Sequence, residues 1–157
     1  MPVFRLCRRA FAKEPLSGEG GLYASARWHT APRRVVYASQ SLALACLEVL
    51  VHLDSELMPS DFVAIEIDVP SSIAIKQITV SELPKSWRRY PAQRALQRLG
   101  DAWLDGSESA ILRLPSVVVP GEYNYLINPI HHDARRITVV RKTPFSFDQR
   151  LLAHRRD

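Results

Sequence analysis

Residues 42–53 read LALACLEVLVHL, and ten of these twelve positions are apolar. A helix that is apolar almost all round has to be covered by the rest of its domain. Ser39 or Ser41 stands in front of the run as an N-cap, so the pattern predicts a helix reaching about Leu53. The preceding RRVVYA, at 33–38, reads as a strand. A strand that runs straight into a buried helix is therefore the first constraint on the fold.

Glu48 interrupts that helix. It shares a face with Leu44 and His52, one turn away on either side, while Leu42, Ala45, Cys46, Val49 and Leu53 read as core. Burying an ionised carboxylate without a partner costs on the order of several kcal/mol. Three arrangements remain open: Glu48 points to solvent, is neutralised by a cation, or lines a cleft. His52 is placed to cap or pair with it. Glu-x-x-x-His is not the HExxH zinc pattern and no third ligand stands out, so no metal site is expected. The nearest cations upstream lie in ARWHTAPRRVVY, which offers Arg27, Arg33 and Arg34.

Elsewhere the periodicity is mixed. FVAIEIDV, at 62–69, alternates Val63, Ile65, Ile67 and Val69 with Ala64, Glu66 and Asp68, which predicts a strand with one wet face. SIAIKQITV, at 72–80, reads as a second strand. Residues 92–104 fit a helix with Ala95, Leu96, Leu99, Ala102 and Trp103 on one face. Short strands are expected at 110–114 and 116–119, interrupted by Pro115, and a last one at RITVV, 136–140. YNYLINP, at 123–129, is ambiguous. EPLSGEGG, at 14–21, reads as a loop. Without regular βαβ alternation, repeat or linker, the expectation is one α+β domain over residues 1–157, with a mixed or antiparallel sheet flanked by helices.

Charge narrows the partners. Lys+Arg number 21 against 16 Asp+Glu, a formal net charge of +5, which favours anionic ligands. No block of five like charges forms a tail to grip nucleic acid, so no direct nucleic-acid contact is expected. Trp87-Arg88-Arg89-Tyr90 is the best candidate for the contrary reading. Cys7 and Cys46 build neither a disulfide framework nor a metal cluster. No signal-peptide h-region or membrane-length apolar run is present, so the sequence reads as cytoplasmic and away from membranes.

Taken in order, PLSGEGG, ARWH, VVYASQSLALACLEVLVHL and LPSVVVPGEYNYLINP resemble the RES domain, named for its Arg, Glu and Ser. The likeness runs from about Phe4 to Leu151. Arg27, Tyr37 and Glu48, spaced by 10 and 11 residues, carry most of it. The resemblance implies an ADP-ribosyltransferase-like fold. It also implies an NAD-degrading toxin of a bacterial toxin–antitoxin pair, opposed by an Xre-type helix-turn-helix antitoxin. Such a toxin breaks the nicotinamide–ribose bond by hydrolysis or phosphorolysis, with NAD a consumed substrate and no resident cofactor. The alternatives are a mono-ADP-ribosyltransferase that modifies a host protein, or a basic nucleic-acid-binding domain. Self-association within the complex is compatible with the sequence.

By the same resemblance Glu48, Arg27 and Tyr37 are the catalytic positions, and Arg27, Tyr37, Ser116 and Asn124 contact NAD. Many members read GGRWN where this chain reads SARWH, so Ala26 stands for a Gly and His29 for an Asn. His29 at that place would alter a contact with ribose or phosphate. The glycines at 18, 20 and 21 form a flexible loop, for which a cover over the dinucleotide and a plain surface loop are equally consistent readings.

Overall fold

A computed structural model describes residues 1–53 and 59–153 of the chain. Its centre is a seven-stranded sheet: β1 (Pro2–Arg8), β2 (Val36–Ser39), β3 (Phe62–Asp68), β4 (Ile75–Gln77), β5 (Ile111–Pro115), β6 (Tyr123–Ile127) and β7 (Thr138–Phe145). The spatial order is β4-β5-β6-β2-β1-β3-β7. Every pairing is antiparallel except β4 with β5. The helices are α1 (Gly20–Tyr23), α2 (Leu42–Leu50), α3 (Arg94–Gly106) and α4 (Arg150–Ala153). This is the expected α+β class with a mixed sheet.

Strand alternation divides the core in two. Val3, Val36, Ala38, Ile65, Ile67, Ile111, Tyr125 and Ile127 form one cluster, with Ala12, Val69, Ile73 and Ile137 from connecting segments. On the other face α3 lays Leu96, Trp103 and Leu104 against Leu112, Leu114 and Leu126. There α2 lays Ala45 against Leu6 and Phe62. Two helices thus cover two ends of one sheet face. Tyr37 and Ser39 of β2 and Asn124 of β6 belong to the strip between them, because each is two residues, or one cross-strand step, from the next.

Several elements differ from the sequence reading for local reasons. β1 went unrecognised: its arginines hide the alternation, yet it sits between β2 and β3 and pairs along all of its length from Pro2↔Asp68 to Arg8↔Phe62. Ser41 caps α2, its Oγ accepting from the Leu44 amide at 3.1 Å, but the helix stops at Leu50. The strand expected at 72–80 is cut to Ile75–Gln77, because Thr79 and Glu82 form a capping box around a 3-10 turn. No strand forms at 116–119. There the Ser116 hydroxyl accepts from the amides of Val118 and Val119, each at 3.0 Å, and turns the chain despite three valines. The buried face of α3 holds Leu96, Gly100, Trp103 and Leu104, whereas Leu99 and Ala102 are exposed. YNYLINP resolves as β6 followed by a turn. Among the described residues no helix is long and apolar enough to cross a membrane.

Candidate active site

The strip between α2 and α3 opens as a cleft of about 650 Å³. Its floor is Tyr37, Ser39 and Asn124; Glu48 stands on the α2 side and Arg27 and Gln97 on the other. Of the three arrangements open to Glu48, the structure adopts the cleft. Its Oε1 accepts from Ser116 Oγ at 2.8 Å and from Asn124 Nδ2 at 2.5 Å. Asn124 is itself held, its Oδ1 accepting from Ser39 Oγ at 2.7 Å. No partner for Oε2 occurs among the described residues. One oxygen of Glu48 is thus fastened by two donors and the other is free for a ligand. Charge-assisted bonds of this kind are about twice as strong as neutral ones, so they fix the carboxylate's direction.

Arg27 is placed by a different set of contacts. Its Nη1 donates to the carbonyls of Trp87 at 2.9 Å and Arg89 at 3.2 Å. Burial holds its pKa below the ordinary arginine value, and the charge of Glu48 partly offsets that. The two side chains feel one another across the cleft without forming an ion pair. The backbone beneath Arg27 lies almost on α3. A Cβ at Gly100 would come within 1.7 Å of the Trp28 carbonyl oxygen, so only glycine admits this approach. Gln97 Nε2 donates to the Ala26 carbonyl at 3.0 Å. Asp101 accepts from the Thr30 amide and hydroxyl, and Asp105 takes a bidentate contact from Arg33. Arg33 and Arg34 are thereby spent on α3 and on the Ser17 carbonyl, which leaves Arg27 as the upstream arginine facing Glu48.

Tyr37 presents its ring to the cleft and turns its hydroxyl inward to His29 Nδ1, 2.8 Å away. Burial pushes that hydroxyl well above the usual phenol range. His29, only 2% exposed, lies behind Tyr37 and off the cleft wall, so it is not placed to touch ribose or phosphate. Burial also lowers its pKa, against opposing contributions from the carbonyls of Ala24 and Gly21 and the charge of Asp101. Ser116 is 1% exposed, its hydroxyl engages Glu48 and two backbone amides, and it stands behind Glu48, off the cleft lining.

Other expectations shift as well. The glycine segment is no cover over the cleft. A Cβ at Gly18, whose φ is +65°, would meet the Val35 amide nitrogen at 2.6 Å, and one at Gly21 would meet the Arg33 carbonyl oxygen at 2.2 Å. Both pack the segment against residues 33–35. Trp87 is buried and Arg88 stacks over its ring at 5.0 Å, so the WRRY stretch is a wall holding Arg27. It offers no row of free aromatics for bases. His52 borders the cleft beyond the end of α2 and makes no bond to Glu48. Ser39 and Arg5, whose Nη1 donates to the Tyr37 carbonyl at 3.2 Å, escaped the sequence reading. Only the register of β1, β2 and β6 brings them there.

Fold and site together define a class: an α+β protein with a fixed carboxylate facing a half-buried guanidinium across a hollow of about 650 Å³. Residues 2–148 match the family model of the RES domain, and the chain belongs to that family. It is 37% identical over 146 residues to a protein of Sphingobium sp. (strain YBL2) named "Prs ADP-ribosylating toxin", covering 92% of this chain and 91% of that one. It is 38% identical over 145 residues to "Toxin Res" of Pseudomonas putida, covering 91% and 97%. It is 33% identical over 153 residues to "Toxin Res" of Photorhabdus laumondii, covering 97% of each. The toxin–antitoxin crystal structure of M. tuberculosis MbcT–MbcA contains a chain of the same fold, with a TM-score of 0.76 at 15% identity, covering 98% of this chain and 87% of that one.

Proposed function

We propose that this chain is the toxin of a bacterial toxin–antitoxin pair and that it consumes NAD at the nicotinamide–ribose bond. The observation that carries the reading is the Glu48 carboxylate, anchored through one oxygen by Ser116 and Asn124 and open through the other, across the cleft from Arg27. A hollow of about 650 Å³ has the size of a small-molecule site. The relatives named as toxins support the biological role.

The chemistry follows from charge. As the C–N bond breaks, its electron pair leaves with nicotinamide, which departs neutral and needs no strong acid. Ribose C1′ becomes oxocarbenium-like. A fixed carboxylate stabilises such a cation, as in glycoside hydrolysis. An acceptor oxygen then adds to C1′ and gives up its proton. Arg27, with Nη1 tied to the 87–89 segment, keeps the rest of its guanidinium for the pyrophosphate. The ring of Tyr37 offers a flat face for nicotinamide. Ser116 positions Glu48 and Asn124 both positions it and borders the ligand.

Hydrolysis or phosphorolysis is the primary reading. Transfer to a host protein is the second, favoured by the relative whose name is that of an ADP-ribosylating toxin. Mass spectrometry of NAD products, with and without inorganic phosphate, tests the first; labelled NAD in lysate tests the second. Free nicotinamide with ADP-ribose or its phosphate ester is the expected result. Protein-bound label with little free product would move the assignment to transfer, and intact NAD in both assays would overturn the reading. An Xre-type antitoxin and a cytoplasmic site of action belong to the same proposal. Growth arrest on expression, relieved by the partner, is their test.

A further inference from the structure

The cleft continues past the residues assigned to NAD. A second concavity of about 470 Å³ adjoins it, and Ser25 and Gln97 line both. Its remaining lining is Thr30, Arg94, Arg98 and Asp101. Arg94 and Arg98 stand one helical turn apart on α3 and so share a face. Like charges at that spacing disfavour a helix. Among the described residues neither arginine has a hydrogen bond or ion pair, although their neighbours do. Arg27 is held by two carbonyls, Arg33 by Asp101 and Asp105, and Arg88 lies over Trp87.

Asp101 would repel an anion here, but its charge is already engaged. Oδ1 accepts from the Thr30 amide at 2.8 Å, and Oδ2 accepts from the Thr30 hydroxyl at 2.7 Å and lies 3.4 Å from Arg33 Nη1. Ser25 Oγ accepts from the Ala31 amide at 2.9 Å, which leaves its own proton to donate. The concavity therefore presents two unpaired guanidinium groups and a hydroxyl donor beside an acid whose oxygens are taken up by Thr30 and by Arg33, the latter shared with Asp105. Planar N–H forks of this kind match the oxygens of a phosphate.

We propose that Arg94 and Arg98, with Ser25, form a phosphate subsite opening onto the cleft. It deepens the proposed function and rests on it for its role. The phosphate is either one carried by the dinucleotide, as the 2′-phosphate of NADP, or free inorganic phosphate acting beside NAD.

The direct test is a calorimetric titration of inorganic phosphate, at constant ionic strength, into the full chain and into Arg94→Ala/Arg98→Ala. Both positions are exposed, so the variant folds, and circular dichroism checks that. Saturable binding by the unaltered chain is expected to weaken roughly tenfold or more in the double variant. Arg94→Lys/Arg98→Lys, which keeps the charge and loses the fork, falls in between. Absent saturable binding, or equal binding in the alanine variant, overturns the subsite. This titration needs no turnover, so its failure is separate from a failure to cleave NAD. Kinetics then assigns the source. A lower KM for NADP than for NAD, lost in the double variant, points to the 2′-phosphate. Phosphate-stimulated NAD loss, abolished in it, points to the free ion.

Discussion

Glu48→Gln isolates the charge of the proposed catalytic group from its geometry. Ser116 and Asn124 both donate to Oε1, so they select the glutamine rotamer that keeps an oxygen there and turn the new amide toward the cleft. The side chain stays in place and only its charge disappears. Bonds to a neutral acceptor are about half as strong, a loss of about 1 kcal/mol for each of the two, partly offset because a half-buried charge no longer has to be desolvated. For a domain of this size that lowers the melting midpoint by only about 2–4 °C per net kcal/mol. Catalysis loses more. A unit cation about 4 Å from the carboxylate at an effective dielectric of about 20 gains about 4 kcal/mol. A transition state carrying most of that charge loses about 3 kcal/mol, or about a hundredfold in kcat. Nicotinamide release at saturating NAD, read beside a thermal melt, measures both. A folded variant that keeps more than about a third of the rate would refute the electrostatic role.

Arg27→Ala should weaken NAD binding by roughly tenfold or more in calorimetry, since it removes the cleft-lining guanidinium that we propose for the pyrophosphate. Ser116→Ala removes a donor to Glu48 that lies off the cleft wall, so kcat should fall by about tenfold with KM little changed, and stability by about 1–3 kcal/mol in urea titration; a rise in KM alone would mark Ser116 as a ligand contact instead. The pKa of His29 is depressed by burial, so the folded chain binds its proton less readily than the unfolded chain does. Its stability contribution is then present above the unfolded value of about 6.5 and is lost as pH falls through the folded value, which urea midpoints below and above pH 6.5 should show and His29→Asn should flatten. Gly100→Ala should cost about 1–3 kcal/mol or more and reduce NAD affinity, because a Cβ 1.7 Å from the Trp28 carbonyl oxygen displaces the backbone that carries Arg27.

Part of the fold was legible from local pattern. A lone carboxylate in an apolar helix has few tolerable fates, and Ser39 or Ser41 marked where that helix starts, the structure selecting Ser41. The alternation at 62–69 identified β3, since a strand's two faces write themselves into the sequence. The family motifs added the roles proposed for Arg27, Tyr37, Asn124 and Ser116. What local pattern could not supply was register. β1, with its arginines, gave no clean alternation, yet its pairing with β2 and β3 makes it the middle of the sheet.

The sequence by itself therefore determined which residue types were available and which short elements they favour, because helix and strand periodicity and capping act over a few residues. Only the tertiary structure decided that Asn124 and Ser116 would meet the same Glu48 oxygen, 76 and 68 residues away along the chain. It alone turned His29 inward, closed the glycine segment against residues 33–35 and let Gly100 admit the backbone beneath Arg27. Those outcomes depend on long-range pairing and close packing, which fix distances that no local stretch of sequence records.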